Sequence, residues 1–165
     1  EINVEDANCV SDEEANGKYA HFLLKERDMI VSTSGTLGKN AIIRSYHLPL
    51  MLNTSVIRFR PRNILYYSYM YQYLNSAEFQ ETLESLACGS VQANFGPSHL
   101  KTMKIGVPSN ETLNSFIQFC DPLYEKLNHN YIQINLVKRL RDTLLPKLMS
   151  GAIRVKPFVN EFSEL

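Results

Sequence analysis

The sequence predicts an α+β fold, in which a small mixed sheet with short helices is followed by one long amphipathic helix. Two observations support this prediction. Residues 1–108 mix short strand-like and helical segments without a regular βαβ order. Residues 109–150 carry apolar side chains at spacings of three and four, which is typical of a helix. We therefore expect two regions, 1–108 and 109–150, followed by a tail at 151–165.

The first region contains four candidate strands. They are residues 28–32, 41–45, 55–60 and 103–107. The first two flank a loop with Gly35 and Gly38, a pattern that indicates a wide hairpin. Pro61 ends the third strand, since proline cannot donate to a sheet ladder.

Two helices are predicted between the third and fourth strands. Residues 64–74 form the first, and Ser76 is the expected N-cap of the second. The second helix places Phe79, Leu83 and Leu86 on one face, and Gly89 stands at its expected C-cap. The tyrosines of the first helix lie at spacings that favour packing over base stacking.

The second region is predicted to begin with a short helix that ends near Cys120. Asp121 and Pro122 then suggest a new helix start or a kink. Beyond them, two rows alternate at spacings of three and four, and we call them together the seam. The rows are Leu123, Asn130, Val137 and Leu144, and Leu127, Ile134, Arg141 and Leu148. The seam predicts a coiled coil, with Asn130 and Arg141 as polar interruptions.

The alternative to a coiled coil is an amphipathic helix packed on its own domain. Pro146 and Gly151 are expected to end the helix.

Composition restricts the classes of function. The 165 residues include 17 basic and 17 acidic side chains, so strong non-specific attraction to nucleic acid is not expected. Cys9, Cys88 and Cys120 form no CxxC pair, which argues against a disulfide framework or a zinc site. We expect a protein of the reducing cytoplasm with no membrane span and no signal peptide. Because the first residue is Glu1, we also expect upstream sequence, including the start of the first region.

The loop between the first two strands is the first candidate site. Gly35 and Gly38 precede Lys39, but the spacing of a phosphate-binding P-loop is absent and Asn40 replaces its hydroxyl residue. The flanking strands argue against the GxxG loop of a KH domain. A tight turn and a ligand loop both remain open. The loop hydroxyls and Lys39 favour contact with an anion or a base edge. The candidate contacts are Ser32, Ser34, Thr36 and Lys39.

A second polar loop carries Gln92 and Asn94. Their amides are suited to bidentate hydrogen bonds with adenine, although they equally suit the satisfaction of loop backbone groups. Arg44 is a further candidate contact. Arg58, Arg60 and Arg62 alternate along the third strand and either follow phosphates or form a solvated face.

Catalytic motifs are missing from the sequence. The histidines His21, His47, His99 and His129 belong to no nucleophile or HExxH motif. There is no glycine fingerprint for S-adenosylmethionine and no cluster of carboxylates with a lysine as in nucleases. We therefore expect a binding module with no catalytic residues, no metal and no cofactor.

The order of these motifs resembles one family of DNA-reading proteins. The stretches that carry the resemblance are residues 28–39, 52–61, 89–94 and 100–108, together with Leu140-Arg-Asp-Thr-Leu-Leu-Pro-Lys-Leu-Met-Ser-Gly-Ala-Ile-Arg-Val155. Together they resemble the C-terminal target recognition domain and conserved helix of Type I restriction–modification specificity subunits. The last stretch is the most specific of the five.

The resemblance implies a non-catalytic subunit that reads half of a split site in double-stranded DNA. It also implies docking to modification subunits that methylate adenine and, through them, association with the restriction motor subunit. The loops at 32–39 and 89–94 would then face DNA. Two copies are expected to pair through Leu123, Leu127, Ile134, Val137 and Leu144, because this chain supplies one recognition domain. The alternative function is a coiled-coil scaffold that binds protein and no DNA.

Overall fold

The computed structural model describes residues 2, 4, 7–87 and 97–154. The chain forms two compact units, Glu1–Leu127 and Asn128–Leu165. In chain order the elements are α1 (Asp12–Asn16), β1 (Met29–Ser32), β2 (Asn40–Ile42), β3 (Val56–Phe59), α2 (Tyr67–Leu74), α3 (Ala77–Ala87), α4 (Pro97–Leu100) and α5 (Asn110–Met149). This confirms the α+β class and the long C-terminal helix.

The sheet of the first unit has three strands in the order β2-β1-β3. Both pairings are antiparallel, and Met29 of β1 faces Ile42 on one side and Phe59 on the other. Within the described residues the sheet is therefore antiparallel, where a mixed sheet was predicted. The predicted hairpin of the first two strands and the third strand before Pro61 are confirmed.

The core lies between this sheet and helices α2 and α3. Its buried members are Met29, Val31, Tyr73, Leu74, Phe79 and Leu83. The Phe79 ring meets the Phe59 and Tyr73 rings edge-on, with centroids 6.2 Å and 5.4 Å apart. The predicted N-cap is confirmed, because the Phe79 N–H donates to the Ser76 hydroxyl at 3.2 Å. Of the α2 tyrosines, Tyr73 is buried in this core, and Tyr67 and Tyr71 pack against it.

The strand predicted at 103–107 is wrong. These residues form no strand and find no partner ladder in the part of the chain that the structure describes. The side chains of Met103 and Ile105 pack against the core, while Lys104 is exposed. The alternating pattern therefore reflects a segment that packs by its side chains and accepts a hydrogen bond from the Tyr69 hydroxyl at the Gly106 carbonyl, without joining the sheet.

The new helix start predicted at Asp121 and Pro122 is also wrong, because α5 runs through both residues, whereas a kink there stays a prediction. The Asp121 carboxylate, expected as an N-cap, instead accepts a hydrogen bond from the Ser68 hydroxyl. Leu113 before the proline is buried, and Tyr124 after it packs on Tyr71. This packing on both sides offsets the hydrogen bond that proline removes.

The end of α5 partly follows the prediction. Gly151 lies just beyond the last helical residue with φ of +73°, as expected for a left-handed C-terminal cap. Pro146 lies within the helix and does not end it. Among the described residues, no helix combines the length and the apolar character that a bilayer span requires.

The seam side chains of α5 are exposed. In the first unit this holds for Leu123 and Leu127, and in the second for Ile134, Val137 and Leu144, whose exposed fractions are 49%, 62% and 36%. The seam is thus an apolar stripe in contact with solvent. Within the first unit, Leu123 and Leu127 are therefore not part of the core.

Candidate nucleic-acid interface

The loop that joins β1 to β2 is closed by its own hydrogen bonds. The Ser32 N–H donates to the Lys39 carbonyl at 2.9 Å, and the Gly38 N–H donates to the Ser32 carbonyl at 3.0 Å. The Ser32 hydroxyl donates to the Thr36 carbonyl. Gly35 and Gly38 have φ of +69° and +79°, in the left-handed region that favours glycine. The glycines are therefore needed for the turn itself, whatever the loop binds.

The predicted contacts of this loop differ in accessibility. Thr36 and Lys39 are exposed, Ser34 is half-buried, and Ser32 uses its hydroxyl within the loop. Thr33 is buried. The loop therefore presents Thr36 and Lys39 to solvent, whereas Ser32 determines the shape of the loop.

Helix α3 contacts the loop through Gln80, a residue that no sequence pattern singled out. The Gln80 Nε2 donates to the Leu37 carbonyl at 3.5 Å. A Cβ added to Gly38 would lie 2.1 Å from the Gln80 Oε1 and 3.0 Å from the Leu83 Cδ1. Only glycine allows this close approach of loop and helix without a shift of neighbouring atoms. The signal available in the sequence was a glutamine next to the apolar face of α3.

Asn40 anchors the other end of the loop. Its Nδ2 donates to the Leu74 carbonyl at 2.9 Å, at the end of α2. In the sequence, Asn40 is notable only because it replaces the hydroxyl residue of a P-loop. Its structural role depends on a contact between residues far apart in sequence, which no local pattern indicates.

The second candidate loop, with Gln92 and Asn94, lies outside the described residues, as does Gly89. In the sequence this loop follows α3, which ends at Ala87.

Arg44 does not join the loop contacts. Lys39 precedes β2 and Arg44 follows it, and five residues of extended chain span about 17 Å. Arg44 is half-buried, and its charge acts on the Tyr67 hydroxyl together with those of Arg27 and Glu125. The structure thus places Arg44 at the opposite end of the hairpin from the loop.

Arg58 and Arg60, which were predicted within the third strand, form hydrogen bonds with other groups of the protein. Arg60 forms two hydrogen bonds of 2.5 Å with the carboxylate of Asp28, which is 1% exposed. These bonds raise the pKa of the Arg60 guanidinium. Arg58 donates to the Leu23 carbonyl at 3.2 Å, while Arg62 is exposed. The alternating arginines therefore stabilise the sheet more than they form a continuous basic surface.

Within residues 7–87 and 97–154, no three His, Cys, Asp or Glu side chains converge in a way that would hold an ion. The described part of the site is a hydrogen-bonded turn with an exposed hydroxyl group at Thr36 and an exposed ammonium group at Lys39.

Comparison with known proteins decides the family. A family model described as the Type I restriction modification DNA specificity domain matches residues 2–136, which is most of the chain. The chain belongs to this family. The specificity domain thus includes the sheet, the β1–β2 loop, both helices behind it and more than half of α5.

One curated relative is also similar in sequence. The Type I restriction enzyme MjaIX specificity subunit of Methanocaldococcus jannaschii is 39% identical over 59 residues. The matched stretch is 36% of this chain and 14% of the relative. This chain therefore corresponds to a small part of that subunit's length.

Proposed function

We propose that this specificity domain reads half of a split site in double-stranded DNA, with the β1–β2 loop and the segment 89–94 as its reading surface. Family membership is the observation that carries the proposal. It is supported by the loop itself, which presents Thr36 and Lys39 from a base held by Gln80 and Asn40. A rigid base is what precise contacts to base edges require.

The two parts of this surface have different roles in the proposal. Lys39 carries a single positive charge on a flexible stem, which suits a phosphate and favours binding to any sequence. Gln92 and Asn94 carry amides that distinguish adenine from other bases in the major groove. Ser34 and Thr36 add hydroxyl groups, which suit either a phosphate or a base edge.

The partners follow from the same family. In our proposal the chain is a non-catalytic cytoplasmic subunit that docks methyltransferase subunits and, through them, the restriction motor subunit. Methyl transfer and cleavage are then reactions of those partners. The purified chain with S-adenosylmethionine or ATP should neither methylate DNA nor hydrolyse the nucleotide, and either activity would contradict this assignment.

Equilibrium binding to a fluorescent duplex at several salt concentrations tests the DNA proposal. Lys39→Gln should weaken binding to every sequence and lower the salt slope by about one unit, because one phosphate contact is lost. Lys126→Gln, an exposed lysine on α5, is the matched control and should bind as the parent does. If the complex with methyltransferase subunits binds no duplex even at low salt, the DNA-reading proposal fails.

That failure would favour the alternative function, a coiled-coil scaffold that binds only protein. The observation in its favour is the exposed apolar stripe of α5, with Val137 62% and Leu123 57% exposed. Stripes of this kind mark interaction surfaces. The stripe is needed in both proposals, so only DNA binding separates them.

We further propose that two copies pair antiparallel through Leu123, Leu127, Ile134, Val137 and Leu144. A stripe along about 23 helical residues is roughly 35 Å long, and a closed twofold dimer is the commonest way to cover one. Pairing of identical chains would supply two recognition domains to one complex.

Light scattering after size exclusion, at tens of micromolar chain, tests this pairing. The parent should be a dimer, and Leu127→Asp with Val137→Asp should be a monomer. Arg139→Gln with Thr143→Asp changes the net charge equally on the opposite helical face and should remain a dimer. A monomeric parent, or a dimer that survives the two seam substitutions, would contradict the pairing.

A further inference from the structure

The residue that begins the β1–β2 hairpin has an unusual backbone. Arg27 has φ of +69°, in the left-handed region. Residues with a Cβ pay free energy to adopt this conformation, whereas glycine does not. An arginine at such a position indicates that its side chain has a role that glycine would not fill.

The contacts of Arg27 show what that role is. Its backbone N–H donates to the Ile43 carbonyl at 2.8 Å, which closes the base of the hairpin. Its guanidinium lies over the Tyr67 ring of α2, 5.8 Å from the centroid. Its Nη2 lies 2.5 Å from the Glu125 Oε1 of α5. One residue therefore connects the hairpin, α2 and the first half of α5.

Further contacts join the same face of α5 to α2. The Ser68 hydroxyl donates to the Asp121 carboxylate, and the Tyr124 hydroxyl donates to the Gln72 Oε1 at 2.8 Å. Asp121, Tyr124 and Glu125 are spaced i, i+3 and i+4, so they share one helical face. This part of α5 is held by directional polar contacts, which fix an orientation more closely than apolar contacts do.

The hairpin links this joint to the β1–β2 loop. Arg27 precedes β1 and the loop follows it, with four strand residues, about 13 Å, between them. Strand β1 is the central strand and pairs on both sides. The centrally paired strand β1 therefore lies between the Arg27 contacts with α5 and the β1–β2 loop.

We propose that Arg27 is a positioning residue, which holds residues 110–127 of α5 against the hairpin so that the β1–β2 loop meets DNA in a fixed relation to the methyltransferase bound to this chain. The inference rests on the proposed function. It concerns the reaction that the partner performs, because a misaligned joint would still allow DNA to bind but would place the target base wrongly. A small misplacement of a reacting group is known to slow catalysis strongly.

Arg27→Gly separates the effect of the side-chain contacts from the effect of the left-handed backbone. The substitution relieves the left-handed strain, so the midpoint of thermal unfolding should stay unchanged or rise. DNA affinity of the complex with methyltransferase subunits should stay within about twofold, while kcat for methylation falls about tenfold with KM unchanged. Arg27→Glu with Glu125→Arg, which restores the ion pair in reverse, should recover most of that rate. Lys126→Gln is the control on the same helix.

Three results would overturn the inference. They are an Arg27→Gly complex that methylates at the parent's rate, an Arg27→Gly chain that unfolds at a clearly lower temperature, and a charge-reversed pair with no recovery. If the parent complex neither binds nor methylates DNA, the proposed function fails instead. Amide hydrogen exchange then still tests the joint: faster exchange in residues 110–127 of Arg27→Gly supports it, and unchanged exchange overturns it.

Discussion

Gly38→Ala is the substitution for which the structure makes the sharpest energetic prediction. Gly38 has φ of +79°, and its missing Cβ would lie 2.1 Å from the Gln80 Oε1 and 3.0 Å from the Leu83 Cδ1. Gln80 ends a flexible side chain and would rotate away, with loss of its bond to Leu37. Leu83 is fully buried and has little room to move.

The magnitude follows from two separate costs. A left-handed alanine costs about 1–2 kcal/mol. Overlap with a packed core side chain adds about 1–2 kcal/mol more, at the lower end of overpacking costs. We expect Gly38→Ala to lower the free energy of unfolding by about 2–4 kcal/mol.

Gly35→Ala is the matched control in the same loop. Gly35 has φ of +69°, but a Cβ added there would have no other atom within 4 Å, so only the backbone cost applies. Urea unfolding followed by circular dichroism measures both variants. Gly38→Ala should lose at least about 1 kcal/mol more than Gly35→Ala, and Gln80→Ala should reduce that difference because the two sites interact. Equal losses for the two glycine variants would refute the close packing of loop and helix.

Substitutions at three further positions test the scaffold by the same unfolding measurement. Ser76→Ala removes the acceptor of the Phe79 N–H and should cost about 1 kcal/mol, whereas Ser76→Thr keeps a hydroxyl that accepts this bond and donates to the Tyr73 carbonyl, and should retain most of the stability. Asp28→Asn removes the charge that faces Arg60 and should lower the free energy of unfolding by about 2–4 kcal/mol. This is less than for a fully buried pair, because solvent screens the partly exposed Arg60. An unchanged free energy of unfolding would contradict the role of this pair. Burial raises the pKa of Tyr67 from 10.0 to about 12, so the unfolded chain loses this proton first and stability should fall between those pH values. Tyr67→Phe should remove that part of the pH profile, and an unchanged profile would contradict the assignment.

Patterns among neighbouring residues were sufficient to predict much of the secondary structure of the first unit. The hairpin followed from two apolar runs around Gly35 and Gly38, and the start of α3 followed from Ser76. Each depends on residues within a few positions of one another, so the sequence contains the determining contacts. The two wrong predictions, at 103–107 and at Asp121, concern residues whose contacts lie far away in the sequence. Alternation at 103–107 was satisfied by side-chain packing, and the predicted cap at Asp121 was taken up by Ser68, 53 positions away.

The candidate site was predictable in part for the same reason. The β1–β2 loop was found because its glycines and hydroxyls are contiguous. Gln80 and Asn40 were missed because they act on Leu37 and Leu74 through tertiary contacts. Arg44 is close to Lys39 in sequence, but a strand carries it to the far end of the hairpin.

The most direct test of DNA reading is to sequence methylated adenines in cells that carry the chain with its modification subunits. Replacement of Gln92 and Asn94 should change one half of the split methylated motif, since each base contact contributes about 1–3 kcal/mol of discrimination. Lys39→Gln should leave the motif intact and lower the fraction of sites that are methylated. One unchanged motif, at unchanged occupancy, in all of these variants would contradict the assignment of the reading surface.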